Sequence, residues 1–218
     1  MLLAELQELL AKINDADVVE DVCDFLITDC HQLGPLHRPA GAGNVSEALL
    51  VAEGDEALDV GLYLEPALLA RLTASEPLKH LDDDNLADFC TALEGVSHFN
   101  CVAWSAARGW PVSVLGLEMQ AEIDKYTAAV LVAGSQRDGA LVRGLHARLF
   151  EQVRFRDDLD AAVRAMYTRA NRYAARFCRR LEDRFLRRRD VRVAEMLSEL
   201  RRFYRLGDAG KLRCIEAA

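Results

Sequence analysis

The chain has 218 residues, of which 51% are hydrophobic and 28% are charged, and its formal net charge at pH 7 is −8. This composition is typical of one large globular domain and excludes a chain that is disordered throughout. The first residues lack the basic region and the unbroken apolar run of a secretion signal. The most apolar long segment, residues 112–133, contains four charged residues, which disfavours a membrane span. We therefore expect a soluble protein of the cytoplasm.

The cysteines and the basic residues add two further expectations. The six cysteines include no Cys-x-x-Cys pair, so free thiols are predicted. A zinc site formed by Cys23, Cys30, His31 and His37 is the alternative, although this spacing matches no common zinc motif. Lysine occurs at only four positions and arginine supplies the remaining basic residues, a bias typical of GC-rich coding sequences. We therefore expect a bacterial protein.

The first part of the chain predicts two short helices and a β-hairpin. Apolar residues recur at helical spacing over residues 2–13, and a second helix is predicted over residues 18–25. The prolines and glycines of residues 34–43 predict a loop. Residues 47–64 change to a period of two, and the glycine within residues 53–56 suits a tight turn between two strands. A small β-hairpin is therefore expected.

After Pro66 the sequence predicts only helices. They are expected at residues 66–73, 84–108, 113–133, 139–153, 157–188, 191–204 and 208–216. The second and third of these are apolar nearly all round, which is typical of a buried helical hairpin. The predicted fold is mainly α (α+β), with a helical core, a long buried helical hairpin and one small β-hairpin.

Charge divides the chain into two parts. Residues 1–135, which include the β-hairpin (47–64) and the central helical hairpin (84–133), contain 6 basic and 23 acidic side chains, a net charge of −17. Residues 136–218 contain 21 basic and 12 acidic side chains, a net charge of +9. We expect the basic C-terminal helices to pack on the same core as the acidic part.

A stripe of arginines on the longest C-terminal helix is the candidate polyanion site. Its members recur every three or four residues and so share one helix face: Arg169, Arg172, Arg176 and Arg179. Such a stripe suits contacts with phosphates. The alternative is a solvated face, or one that neutralises the acidic part of the chain. The net charge of −8 disfavours a dedicated nucleic-acid-binding protein.

Titratable residues on the helical hairpin form the candidate metal site. Glu94 and His98 are four residues apart on the first helix, and Glu118 and Glu122 have the same spacing on the second, so each pair shares a face. Carboxylate and imidazole groups on facing helices are suitable ligands for Zn²⁺, Mn²⁺ or Fe²⁺. The sequence therefore predicts a possible divalent-metal site at these four residues.

The turn of this hairpin sets which residues face each other. If the turn is centred near residues 109–111, the residue numbers of two positions that face each other across the antiparallel hairpin add up to about 220. His98 is then level with Glu122, and Glu94 is level with Tyr126. The alternative to a metal site is a buried structural network in which His98 binds Glu122 and Lys125 neutralises a neighbouring carboxylate.

Three functions follow, in order of preference. The first is a non-catalytic binding or regulatory protein of the bacterial cytoplasm that associates with itself or with another protein, because no catalytic motif is present and a lone hairpin has open edges. The second is a metal-dependent enzyme at Glu94, His98, Glu118 and Glu122. The third is polyanion or nucleic-acid binding by the arginine stripe. A non-enzymatic role is favoured, and no membrane partner is expected.

Overall fold

The computed structural model of the protein describes residues 2–32, 45–53, 58–153, 155, 159–187 and 192–217. The predicted loop at residues 34–43 and most of the predicted hairpin turn lie outside these residues. The described chain contains eight α-helices and a three-stranded sheet, so the mainly α (α+β) prediction is confirmed. None of its helices combines the length and the apolar character that crossing a bilayer requires.

The N-terminal segment forms one α-helix where two helices were predicted. Helix α1 (Leu2–Asn14) buries an apolar stripe consisting of Leu3, Leu6, Leu10 and Ile13. The predicted second helix is wrong, because its region contains a 3-10 turn (Val22–Phe25) followed by strand β1 (Leu26–Ile27). Because β1 pairs in parallel with β3 (Leu58–Leu64), the chain is extended directly after Phe25, and a weak local helix preference does not continue the turn into an α-helix.

The β-hairpin prediction is confirmed by β2 (Glu47–Glu53) and β3, which pair antiparallel along their whole lengths. Strand β3 is the central strand of the sheet, in the order β1-β3-β2. Residues 61–64 of β3 are buried, and both β2 and β3 pack against helix α3 (Leu86–Ala106). Because Glu47 pairs with Leu64, the first residue of β2 lies at the buried end of the sheet.

The predicted helical hairpin is formed by α3 and α4 (Val114–Ser135), which follow the short helix α2 (Pro66–Ser75). Both long helices are buried on most sides, as their apolar sequences predict. Ser113 caps α4, since its Oγ accepts a hydrogen bond from the backbone N–H of Gly116 at 3.0 Å.

Four further α-helices follow the hairpin: α5 (Gly139–His146), α6 (Ala161–Leu181), α7 (Val193–Tyr204) and α8 (Asp208–Glu216). Helices α5 and α6 each continue into a widened π-type turn, at Ala147–Glu151 and Glu182–Leu186 respectively. Asp160 caps α6 by accepting a hydrogen bond from the backbone N–H of Ala162 at 2.7 Å. Helix α6 therefore begins later than predicted.

Apolar side chains from the acidic and the basic parts of the chain join in one continuous core. Helix α4 lies at its centre, because α3, α5 and α6 all pack against it. Phe177 of α6 stacks on Phe203 of α7 with 4.1 Å between the ring centroids. This packing positions the polar residues of α3 and α4 inside the molecule.

Candidate functional site

Six titratable side chains meet between β2, α3 and α4. These residues form the central cluster: Glu47, Glu94, His98, Glu118, Glu122 and Lys125. Helix α3 presents two of them from one face, α4 presents three from successive turns, and β2 contributes its first residue. The exposed fraction of these side chains ranges from 9% for His98 to 29% for Glu94. The central cluster is therefore mostly removed from water.

The imidazole of His98 lies between two carboxylates. Its Nδ1 is 3.7 Å from Oε1 of Glu47, and its Nε2 is 3.8 Å from Oε2 of Glu118. Both distances exceed that of a hydrogen bond. Nε2 of His98 and Oε1 of Glu47 are buried and have no hydrogen-bond partner among the described residues. Because buried polar atoms are rarely left unpaired, the position next to Nε2 is suited to a bound ion.

Three of the four predicted ligand residues come together at this position. Glu94, His98 and Glu118 each offer one ligand atom, and these atoms lie within 4.8 Å of one another. One imidazole and two carboxylates suit Zn²⁺, Mn²⁺ or Fe²⁺. Glu47 lies against the other ring nitrogen of His98, where a carboxylate commonly orients a metal-binding histidine.

The fourth predicted ligand, Glu122, interacts with a lysine instead. Nζ of Lys125 donates to Oε2 of Glu94 at 2.7 Å and to Oε1 of Glu122 at 3.0 Å. The expected alignment of His98 with Glu122 is therefore corrected, because His98 lies beside Glu118, one helical turn nearer the hairpin loop. Long glutamate side chains can extend along the helix toward the nearest cation, so level positions alone do not decide the pairs.

Burial and the charges of neighbouring side chains together set the protonation of the central cluster. Burial lowers the pKa of His98, but Glu47, Glu118 and Glu94 outweigh it and raise the pKa to about 9. Burial raises the pKa of Glu118 to about 7 in spite of the nearby imidazole. Burial also raises the pKa of Glu94, yet Lys125 and His98 outweigh this effect and lower the pKa below its usual value. Protons therefore offset part of the negative charge when no metal ion is bound.

A glycine of α3 allows Glu47 to reach His98. A Cβ atom at Gly95 would lie 2.7 Å from Cδ1 of Leu62 and 3.0 Å from Cγ of Glu47. Strand β2 can therefore pack closely on the helix only where residue 95 has no side chain. Glu47 was not among the predicted site residues, although its place on the same strand face as the core-packed Leu49 was a signal in the sequence.

We expect Gly95→Ala to lower the free energy of unfolding by about 1 kcal/mol, although alanine favours an α-helix over glycine by about the same amount. The added methyl group meets Leu62 and Glu47 and forces β2 away from α3. Gly134→Ala in α4 is the matched control, because no atom lies within 4 Å of its added Cβ. It should stabilise the fold by up to about 1 kcal/mol in urea unfolding. Equal stabilisation of both variants would contradict the close contact.

Tyr167 of α6, rather than Tyr126 of α4, is the tyrosine that the carboxylates of the central cluster influence. Tyr126, which was expected to be level with Glu94, packs instead against His146 and Phe150, with centroid distances of 6.1 and 5.8 Å. Tyr167 of α6 is half-buried. Burial and the carboxylates of the central cluster raise its pKa to about 12. The phenol of Tyr167 therefore stays protonated and neutral near pH 7.

A separate buried network is centred on Asp124. Its Oδ1 accepts from Nδ2 of Asn14 at 3.1 Å and from Nε2 of Gln120 at 3.0 Å, and its Oδ2 accepts from Oγ of Ser97 at 2.6 Å. Oε1 of Gln120 accepts from Nζ of Lys211 at 2.8 Å, so α1, α3, α4 and α8 are joined in the interior. Burial raises the pKa of Asp124 and lowers that of Lys211. The residue numbers 97 and 124 add up to about 220, so the hairpin alignment already places Ser97 opposite Asp124, a pair that was not among the predicted site residues.

The arginine stripe is divided by the structure. Three of its members are exposed on α6: Arg169, Arg172 and Arg176. Arg179 instead donates to Oε2 of Glu182 at 2.8 Å and to Oε1 of Glu151 at 3.1 Å. It also lies 2.8 Å from Nδ1 of His146, whose Nε2 is 3.0 Å from the backbone oxygen of Ala175. The guanidinium of Arg179 is therefore engaged by side chains of the same chain. Polyanion binding by the three exposed arginines stays a prediction.

The alternative zinc residues form only part of a possible site. Asp29, Cys30 and His31 offer ligand atoms within 4.8 Å of one another, but they are consecutive exposed residues. Cys23 does not belong to this group, and His37 lies outside the described residues. All six cysteines are free, as expected.

No protein-family model, no curated protein and no solved structure matches this chain. The geometry and the charge of the central cluster are therefore the observations that bear on function.

Proposed function

We propose that this protein binds one divalent metal ion through Nε2 of His98 and the carboxylates of Glu94 and Glu118. The observation that carries the proposal is the unpaired, buried Nε2 of His98, which lies 3.8 Å from Oε2 of Glu118 in a group whose ligand atoms, with that of Glu94, are within 4.8 Å of one another. An ion bound there would satisfy this nitrogen. Glu47 would accept a hydrogen bond from the Nδ1–H group of His98, which fixes the tautomer in which Nε2 is free for the ion.

The charge of the central cluster supports the same proposal. It contains four carboxylates and one permanently charged cation, Lys125, a formal charge of −3 with a neutral imidazole. Uncompensated buried charge is costly, and proteins usually offset it with a partner or a metal. A divalent ion would reduce this formal charge to −1.

The number of ligands favours a metal-dependent enzyme over a purely structural ion. Structural zinc sites usually have four protein ligands, whereas catalytic sites have three and leave a position open for water or substrate. Glu94 has the most exposed side chain of the three ligands, so substrate would approach from its side. Association with a protein partner, the first function predicted from the sequence, stays a prediction.

Metal-dependent stability tests this proposal. We expect Zn²⁺ or Mn²⁺ at about 100 times its dissociation constant to raise the free energy of unfolding of the chelator-treated protein by about 2.7 kcal/mol. Glu118→Gln should abolish this increase, since it removes a ligand carboxylate. Glu122→Gln is the matched control and should keep most of it, because Glu122 contacts Lys125. Urea unfolding with and without the ion measures the change, and equal responses of both variants would contradict the ligand assignment.

A further inference from the structure

The central cluster contains a second position for a cation, and a lysine fills it. Nζ of Lys125 lies 2.7 Å from Oε2 of Glu94 and 3.0 Å from Oε1 of Glu122. Only 12% of the Lys125 side chain is exposed, so this ammonium is held between carboxylates in a largely dry environment. Two carboxylates that converge on one buried cation are also a suitable arrangement for a metal ion.

Glu94 connects this position to the proposed metal site. It supplies one of the three grouped ligand atoms and also accepts the hydrogen bond from Lys125. A carboxylate shared between two cation positions is how paired metal ions are held in two-metal sites, where the ions lie about 3.5–4 Å apart. Two other carboxylates are divided between the two positions, with Glu118 beside His98 and Glu122 beside Lys125.

We infer that Lys125 occupies the place of a second metal ion and limits the wild-type protein to one ion per chain; this inference rests on the proposed function. The ammonium is part of the chain and cannot dissociate from the cluster, so it keeps this position filled at any metal concentration. It also repels a second divalent ion electrostatically. Removal of the ammonium, with space left behind, converts the cluster into a site for two divalent ions that share Glu94.

Two substitutions at this position separate charge from space. Lys125→Ala removes the ammonium and leaves room for an ion with its water ligands. Lys125→Met also removes the ammonium, but its side chain has a similar length and fills the same space without a ligand atom suited to Mn²⁺. If the inference is correct, only the alanine variant gains a second ion. Lys125→Ser provides a second small residue if the alanine variant does not fold.

Titration of the chelator-treated full chain with Mn²⁺, followed by electron paramagnetic resonance, tests the inference. We expect wild type and Lys125→Met to bind one ion per chain with the spectrum of an isolated ion. Lys125→Ala should bind two ions per chain, and their proximity should produce a spin-coupled spectrum. Circular dichroism confirms that each variant is folded before the titration.

The outcomes distinguish this inference from the proposed function. Wild type with one ion and Lys125→Ala with one uncoupled ion would overturn the role of Lys125 and leave the proposed metal site intact. Two ions in the wild type would also overturn it. A wild type that binds no Mn²⁺, Zn²⁺ or Fe²⁺ would overturn the proposed function and this inference together.

Discussion

Replacement of Asp124 by alanine is expected to lower the free energy of unfolding by about 3–5 kcal/mol. The substitution removes a fully buried carboxylate that accepts hydrogen bonds from Asn14, Ser97 and Gln120. All three donors would then lie in the interior without an acceptor, and a small cavity would remain. Because these donors belong to α1, α3 and α4, the loss affects the junction of three helices. Urea unfolding followed by circular dichroism measures the change.

Asp88→Ala is the matched control for this prediction. Asp88 also receives hydrogen bonds, from Nε and Nη2 of Arg71 at 2.7 and 2.9 Å, but this pair lies at the surface. Its loss should cost less than about 1 kcal/mol, since water replaces the partner. If Asp124→Ala is no less stable than Asp88→Ala, the Asp124 network does not hold the helices together.

The chelator-treated protein is expected to lose stability as the pH rises from neutral to alkaline values. The carboxylates of the central cluster raise the pKa of His98 from 6.5 to about 9. A raised pKa means that the folded state binds the proton more tightly than the unfolded state does. This stabilisation is fully present below about pH 6.5, is lost as the pH rises through about 9, and amounts to about 3 kcal/mol.

Glu118 acts in the same direction at lower pH. Its pKa is raised from 4.5 to about 7, so its stabilising contribution is lost across that interval as the pH rises. The lowered pKa values of Glu94 and Asp88 have the opposite sign, and their stabilisation is lost on acidification. The loss of stability that His98 causes is therefore expected at pH values above those at which Glu94 and Asp88 titrate.

His98→Gln isolates the contribution of the imidazole. Urea unfolding of both chelator-treated proteins between about pH 6 and about pH 9.5 should show the difference in stability between them shrinking by about 3 kcal/mol. A difference that stays constant over this interval would show that His98 does not keep a proton in the folded protein.

Much of the site follows from periodicity along the sequence. The spacing of four residues between Glu94 and His98, and between Glu118 and Glu122, predicts shared helix faces. The apolar surroundings predict a buried hairpin, and the structure brings three of these four residues together. Periodicity does not specify which carboxylate a long side chain reaches. The sequence therefore could not predict that His98 lies beside Glu118 and that Glu122 contacts Lys125.

The remaining features depend on contacts between segments distant in the sequence. Glu47 joins the central cluster because β2 packs on α3 over Gly95, and the strand pattern that gives Glu47 and Leu49 one face does not specify this contact. A 3-10 turn at Val22–Phe25 replaces the predicted second helix, and the chain is extended directly after it because β1 pairs with β3, more than 30 residues later in the chain. In both places, tertiary pairing decides a structure that local preference leaves open.

The metal content of protein purified without an affinity tag, measured by mass spectrometry, shows whether the central cluster holds an ion. We predict about one Zn, Mn or Fe ion per chain in the wild type, and about a tenth or less of that amount in His98→Ala and Glu118→Gln. Both variants should still unfold cooperatively, which shows that metal loss is not due to misfolding. A cooperatively folded wild type that contains no metal, and takes up none from added Zn²⁺, Mn²⁺ or Fe²⁺, would contradict the account and leave His98 with a structural role.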